Sequence, residues 1–431
     1  MIPLLEGPVS FATTRWLSRP GFDRGRFQEA QHRALDHWLA NALPHARAFH
    51  GHPPRLRALP EMDKATLMAD FAGYNIHGIT AEDVHAAMAR DFRIGDLTVG
   101  ASTGTSGNRG LFVISDAERF RWLGSILAKT IGDLLWRRQR VAIILPQGTG
   151  LYDSANRFRQ IHLQFYDLTD GPEAWRSALE AFAPTVIVAP PKVLRHLAEA
   201  CFRLSPVRVF SAAETLDPVD RPVIEAAFGA PLRQIYMATE GLLGVSCRHG
   251  RLHLAEESMH FEHEPVGEGL VSPLVSSFRR RTQILARYRM NDLLRLDPEP
   301  CPCGSPLQAV SEVVGRMDDC FHLTGRAGVE LVTPDILRNA VLRADTRIAD
   351  FRIIQSDQRT IDLALPPDLD DSAAEAALAG LRHLLTRRGV CADVALSRAP
   401  LPLNVKRKLR RVRREWKNPT DKEPAWASSR N

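Results

Sequence analysis

Apolar positions recur at two different spacings along the chain. Phe27, Ala34, Leu35, Trp38, Leu39 and Leu43 repeat about every 3.6 residues, which predicts an amphipathic helix over residues 27–43 that Pro44 stops. A second helical region is predicted over residues 59–88, starting at Pro60-Glu61-Met62-Asp63-Lys64. From residue 141 the pattern changes. Short apolar runs at 141–145 (VAIIL), 185–189 (TVIVA), 207–210 and 234–236 read as buried strands, with helices at 172–182 and 191–204 between them. Strands alternating with helices predict a mostly parallel sheet covered by helices. Ligands in such a sheet bind outside the carboxyl ends of the strands, so the following loops are where chemistry is expected. Beyond residue 315 come a helix at 334–343, strands at 351–354 and 361–365, a helix at 372–388 and a strand at 392–396. The expected fold is α/β: a large domain of mixed, mostly parallel sheets with flanking helices over residues 1–317, a small α+β domain over 318–417, and a polar tail over 418–431.

Composition narrows the class without changing this picture. The chain has 431 residues, 44% of them hydrophobic, which is enough for more than one core. The net charge is +6, but residues 406–417 (KRKLRRVRREWK) carry eight basic residues against one glutamate, so the rest is close to neutral. General nucleic-acid affinity is therefore not expected. The first residues do not form a basic segment followed by a continuous apolar stretch, and no apolar run reaches membrane-spanning length. A cytoplasmic protein without a membrane span is expected. Six cysteines are too few for a disulfide framework.

The densest run of glycine and hydroxyl residues is Val99-Gly-Ala-Ser-Thr-Gly-Thr-Ser-Gly-Asn-Arg-Gly110. Glycine exposes backbone N–H groups, and serine and threonine add hydroxyls, which suits phosphate oxygens. The strand-like residues 111–114 follow, so the loop lies between strands and is not the GxxxxGK[ST] loop that opens a helix. Read without context it is equally a plain surface loop.

Within this run, Ser102-Thr-Gly-Thr-Ser-Gly107 resembles the nucleotide loop of the acyl-adenylate-forming superfamily, in its phenylacetate–CoA ligase and coenzyme F synthetase-like branch. The resemblance implies that Ser102, Thr103, Gly104, Thr105, Ser106 and Gly107 hold the β- and γ-phosphates of ATP. Asn108-Arg109-Gly110 stands where the family has Pro-Lys, and Arg109 would supply the cation.

Four further motifs follow in the family's order. Tyr236-Met-Ala-Thr-Glu240 resembles Tyr-Gly-x-Thr-Glu: Tyr236 would stack on adenine, Thr239 bond the α-phosphate and Glu240 hold Mg²⁺. Ser211-Ala-Ala-Glu214 matches the segment lining the adenine side, with Glu214 as its polar member. Arg287-Tyr-Arg-Met-Asn-Asp-Leu293 resembles Arg-Tyr-Arg-Thr-Gly-Asp-Leu, making Asp292 the ribose ligand. Gly315-Arg-Met-Asp-Asp319 resembles Gly-Arg-x-Asp-Asp: Arg316 would reach ribose or phosphate, and Asp318 would be the hinge of the small domain.

Near the end, Leu401-Pro-Leu-Asn-Val-Lys-Arg-Lys-Leu-Arg410 resembles the family's lysine segment, which puts Lys408 in the catalytic position with Lys406 as competitor. The resemblance spans about residues 55 to 415.

Cys301-Pro-Cys303 in a reducing compartment suggests a metal, which needs two more ligands for tetrahedral zinc. Cys247 and His253 offer them, with His249 competing for the histidine place; the branch carries a similar Cys…His…Cys-x-Cys set. The alternative is inert buried thiols. The resemblance thus implies a ligase using ATP and Mg²⁺, a structural Zn²⁺, and a small acid substrate, aromatic by the family's habit. The acceptor is coenzyme A or a carrier protein, and the branch favours homodimers. The acid pocket is expected around Leu145-Pro-Gln-Gly-Thr-Gly-Leu-Tyr152. Two rival readings are an adenylyltransferase that leaves AMP on its acceptor and a catalytically impaired nucleotide-binding protein.

Overall fold

The computed structural model describes residues 3–102, 110–145, 159–326, 328–402, 404 and 408–416. The described chain divides into two compact units. The larger takes the residues up to Met290, Leu294–Val313 and Lys408. The smaller takes Asn291–Leu293, Val314–Asn404 and the residues from Leu409 on. No helix among the described residues is long and apolar enough to cross a membrane.

The larger unit is built on a mixed sheet. Five strands are parallel, in the order Ile161–Asp167, Gln139–Leu145, Val186–Ala189, Arg208–Ala212 and Leu232–Ala238. Both faces of these strands are covered, so their side chains alternate between two cores. Ala142, Ile144, Ile187 and Val209 pack on one side with Leu179, Val193, Leu197 and Ile224 from the helices Arg176–Phe182, Pro191–Glu199 and Asp220–Phe228. Val141, Ile143, Val186 and Phe210 pack on the other with Phe120, Leu123 and Leu127 of the helix Asp116–Thr130. That two-sided burial is why the strands Gln139–Leu145, Val186–Ala189 and Arg208–Ala212 contain apolar runs, whereas the edge strand Ile161–Asp167, with His162 exposed and Gln164 half-buried, carries no such run and was not expected.

The sheet then turns antiparallel through Gly241–Ser246 and Leu252–Leu254, and continues through Ala309–Arg316, Asp292–Leu296, Leu270–Ser276 and His260–Gly267. The helix Arg24–Asn41 supplies Leu35, Trp38 and Leu39 to a third core with Leu252, Leu254, Val275 and Ile284. A separate antiparallel sheet joins Arg93–Ile94, Leu97–Ala101 and Leu111–Ser115.

Several expectations are met closely, and others shift. The 3.6-residue pattern gives the helix Arg24–Asn41. The region 59–88 is not one helix: it splits into Lys64–Ala69, a 3₁₀ turn at Phe71–Tyr74 and Ala81–Met88. Asp63, Asp70 and Thr80 each accept from a backbone N–H and start the pieces separately. The helix after Pro190 ends at Glu199, because Cys201 takes a positive φ of 52°. The α/β class holds, with an antiparallel half that short alternating strands do not advertise.

In the smaller unit a four-stranded sheet orders Asp393–Arg398, Thr360–Leu365, Arg352–Gln355 and Val412–Arg414. The helices Pro334–Leu342 and Asp371–Arg387 bury Leu337, Val341, Ala377, Leu381 and Leu385 against Ile353, Ile361, Leu363 and Val412. A two-stranded ribbon, Phe321–Gly325 with Gly328–Val332, adds Phe321 and Leu323 to that core.

Candidate active site and metal centre

Three neighbouring parallel strands, Val186–Ala189, Arg208–Ala212 and Leu232–Ala238, end side by side. Their following residues form a row. After the last strand, Ala238 pairs with Gly241, so Thr239 and Glu240 are the two tip residues of a tight hairpin. Gly241 has a φ of 137°, and a Cβ there would lie 2.7 Å from Met259 Cε, so the turn requires glycine. Thr239 Oγ1 donates to Glu240 Oε2 at 3.1 Å, and Glu240 is buried. The Arg280 guanidinium donates to the carbonyls of Thr239 (3.0 Å) and Glu240 (3.3 Å). Tyr236 lies earlier on the same strand, half-buried against the antiparallel core. A register shift beside Met237 marks a bulge in the pairing with Gly241–Ser246.

After the middle strand, Ala213 takes a φ of 66° and Glu214 follows. Glu214 Oε1 pairs with Lys192 Nζ at 2.8 Å, both side chains being buried. Lys192 stands directly after the neighbouring strand, behind Pro190-Pro191. It lies in the first turn of the helix Pro191–Glu199, just past the strand end, and no family motif marks it.

The Gly-rich hairpin closes on this row. Ser102 N donates to Gly110 O at 2.8 Å, and Gly110 N donates to Ser102 Oγ at 3.0 Å. This pair joins Leu97–Ala101 to Leu111–Ser115 across the loop. Gly100 faces Phe112, whose Cζ would stand 2.5 Å from a Cβ at residue 100. A Cβ at Gly110 would lie 3.2 Å from Thr239 Oγ1 and 3.7 Å from Lys64 Cε. The base of the loop therefore abuts the Thr239–Glu240 turn, with Lys64 beside both. The loop residues Thr103, Gly104, Thr105, Ser106, Gly107 and Arg109 lie outside the described residues, as do Lys406 and the expected acid pocket beyond Leu145.

In the smaller unit Asp292 opens the strand Asp292–Leu296, and Arg316 is exposed at the end of Ala309–Arg316. Asp318 is exposed in the 3₁₀ turn Met317–Asp319. Its carboxylate accepts from Asn291 Nδ2 at 2.5 Å, and Met317 N donates to Asn291 O at 2.9 Å. Asn291 is one of the two residues replacing Thr-Gly in the ribose motif. Asp319 is buried and paired with Arg410; burial raises its pKa and Arg410 opposes the rise. Lys408, which belongs to the larger unit, is half-buried.

A second cluster lies elsewhere in the larger unit. The connection from Ser246 to Leu252 turns tightly: Cys247 N donates to Arg251 O, and Gly250 N to Cys247 O. This turn presents Cys247, and the following strand presents His253. The Cys301–Gly304 turn presents Cys301 and Cys303. The four ligand atoms lie within 4.8 Å of one another. Cys247 Sγ is 3.7 Å from Cys301 Sγ, and Cys303 Sγ is 3.4 Å from His253 Nε2. His253 Nδ1 lies 3.0 Å from Leu307 O, which assigns the ring proton to Nδ1 and leaves the Nε2 lone pair for the cluster. Burial lowers the His253 pKa, keeping the ring neutral.

His249 N and Ser305 N donate to the sulfurs of Cys247 and Cys303, each at 3.4 Å. The His249 ring is engaged with Arg248 outside the cluster, so His253 is the histidine that the fold brings in. Burial pushes the Cys303 thiol up to about 12 and raises Cys247, so these sulfurs favour their protons until a cation compensates a thiolate. Three soft sulfurs, one oriented imidazole and donated amide hydrogens fit a tetrahedral Zn²⁺.

No protein-family profile matches the chain. Protein CapK of Staphylococcus aureus is 26% identical over 170 residues, a stretch covering 38% of this chain and 37% of CapK. The match thus spans little more than a third of that relative. Among solved structures, 2-hydroxyisobutyryl-CoA ligase in its postadenylation state with 2-HIB-AMP superposes with a TM-score of 0.70 at 18% identity, covering 93% of this chain and 91% of that one. The same ligase with 2-HIB-AMP and CoA in the thioesterification state gives a TM-score of 0.57 at 19% identity, covering 92% of each. The chain therefore has the fold of the adenylate-forming CoA ligases.

Proposed function

We propose that this chain is an adenylate-forming acid–thiol ligase of the phenylacetate–CoA ligase type. The observation that carries the reading is the junction of two motifs: the Ser102–Gly110 pair closes a Gly-rich hairpin directly against Thr239. In the first half-reaction a carboxylate oxygen attacks the α-phosphorus of ATP, the bond to the bridging oxygen breaks, and pyrophosphate leaves with that electron pair. In the second a thiol sulfur attacks the acyl carbon, AMP leaves, and the thiol proton passes to solvent or a base.

Each side chain has a role in this scheme. Residues 102–107 and Arg109 hold the β- and γ-phosphates, Thr239 bonds the α-phosphate, and Tyr236 and the Lys192-paired Glu214 border adenine. Asp292 takes the ribose hydroxyls, and Arg316 reaches ribose or phosphate. Glu240 would hold Mg²⁺, which supplies charge neutralisation on the phosphates. Lys408 places a cation where charge develops between carboxylate and α-phosphate. The small domain, residues 318–417, acts as a lid turning at Asp318 between half-reactions. Cys247, His253, Cys301 and Cys303 hold a structural Zn²⁺ that stabilises the hairpin behind Glu240. The substrate is a small, aromatic carboxylic acid, and the acceptor is coenzyme A.

Pyrophosphate release with Mg-ATP across a panel of aryl and aliphatic acids, with and without coenzyme A, tests this. Release with one acid class, raised by coenzyme A, is the expected result. Release indifferent to coenzyme A would point to adenylyl transfer or a carrier acceptor. ATP binding without release for any acid would overturn the ligase reading.

A further inference from the structure

The segment from Ser277 to Gln283 carries none of the motifs, yet it makes contacts to two parts of the candidate site and to the helix Asp116–Thr130. Gln283 Oε1 accepts from Val113 N at 3.4 Å, and Gln283 Nε2 donates to Leu111 O at 3.5 Å, which holds the strand leaving the Gly-rich loop. Glu118, in the first turn of Asp116–Thr130, accepts from the backbone N–H groups of Arg281 and Thr282. Arg280 Nη1 donates to the two consecutive carbonyls at the Thr239–Glu240 hairpin tip. Its own carbonyl accepts from Trp38 Nε1 at 2.6 Å, which fixes the arginine from behind.

Among the described residues no carboxylate lies within ion-pairing distance of Arg280, so its donors serve carbonyls. Burial lowers the guanidinium pKa, and the nearby Glu118 and Glu240 carboxylates oppose that. A two-residue hairpin tip has few internal constraints of its own. Gly241 permits the turn, and pinning both carbonyls sets the direction in which Thr239 Oγ1 and the Glu240 carboxylate project.

We propose that Arg280 is a positioning residue for the Mg-ATP site, orienting Thr239 and Glu240 through their main chain. This rests on the adenylation reading above. Its loss loosens the hydroxyl and the metal-holding carboxylate together, so the requirement for metal and nucleotide worsens while the acid is bound as before.

The test is ATP–pyrophosphate exchange in the full chain with Arg280→Met, which keeps bulk without donors, and Arg280→Lys, which keeps charge with different donor geometry. The Mg²⁺ concentration for half-maximal exchange and the KM for ATP are expected to rise about 10-fold in Arg280→Met, with the KM for the acid unchanged. Arg280→Lys should recover part of that rise, and it carries the test alone if the methionine variant does not fold. A merely structural role would reduce the active fraction, lowering kcat with all three constants unmoved, and that pattern overturns the assignment. A wild-type chain without exchange for any acid overturns the adenylation reading, and the assignment with it.

Discussion

His260 shows how burial alone can make one side chain pH-sensitive. It opens the strand His260–Gly267, its ring centroid 6.3 Å from that of His32. Its Nδ1 is buried and has no hydrogen-bond partner among the described residues. Burial chiefly, and the His32 charge second, lower its pKa from 6.5 to about 4. The folded state therefore disfavours the proton that the unfolded chain accepts near pH 6.5. Stability is fully present above that pH and declines as pH falls toward 4, where the folded ring also titrates. Every tenfold loss of proton affinity on folding is worth about 1.4 kcal/mol. His260→Gln is expected to flatten the decline of Tm between those pH values relative to wild type. Superimposable Tm–pH curves for the two proteins would mean that His260 titrates as if exposed.

At the scale of elements, the metal hairpin and the active-site hairpin share the strand Gly241–Ser246: Glu240 precedes it and Cys247 follows it. In the proposed reading, a cation held at one end would brace the strand whose other end carries the Thr239–Glu240 turn. Purified protein is expected to contain about one equivalent of zinc per chain, as for a closed four-ligand site. Cys301→Ser and Cys303→Ser should each lose the metal and lower Tm, whereas Cys201→Ser, exposed and outside the cluster, should do neither. Elemental analysis beside thermal unfolding decides this; zinc-free wild type that takes up none on addition would make the four side chains inert packing.

The same elements show what could be read beforehand. The Cys-x-Cys pair and the Cys…His turn were legible because ligand chemistry demands particular residues at short spacing. The inner parallel strands were legible because both faces are apolar, whereas the edge strand Ile161–Asp167, interrupted by His162 and Gln164, was not. Lys192, Arg280 and Gln283 were not, because each acts on residues distant in the chain. Arg280 and Gln283 work on main-chain atoms 40 or more residues away, which leaves no trace in local pattern. Even Asn291, a visible departure from the ribose motif, has a meaning only once its amide is seen on the Asp318 carboxylate.

For the whole molecule, the proposed reading makes the two half-reactions separable by one side chain. Lys408 lies in the basic stretch of residues 406–417, where, among the described residues, Arg410 pairs with Asp319 and Arg411 with Asp350 at 2.7 Å. A cation needed only while charge builds between a carboxylate and the α-phosphate should matter for making the acyl-adenylate and not for using it. Lys408→Ala is therefore expected to lower acid-dependent pyrophosphate release by at least about 100-fold, in line with the loss of one transition-state charge contact. The same variant supplied with preformed acyl-AMP should transfer the acyl group to coenzyme A within a few-fold of the wild-type rate. Equal losses in both assays would mean that Lys408 supports binding or folding generally. Intact release in Lys408→Ala, with loss in Lys406→Ala, would move the catalytic position two residues back along the same segment.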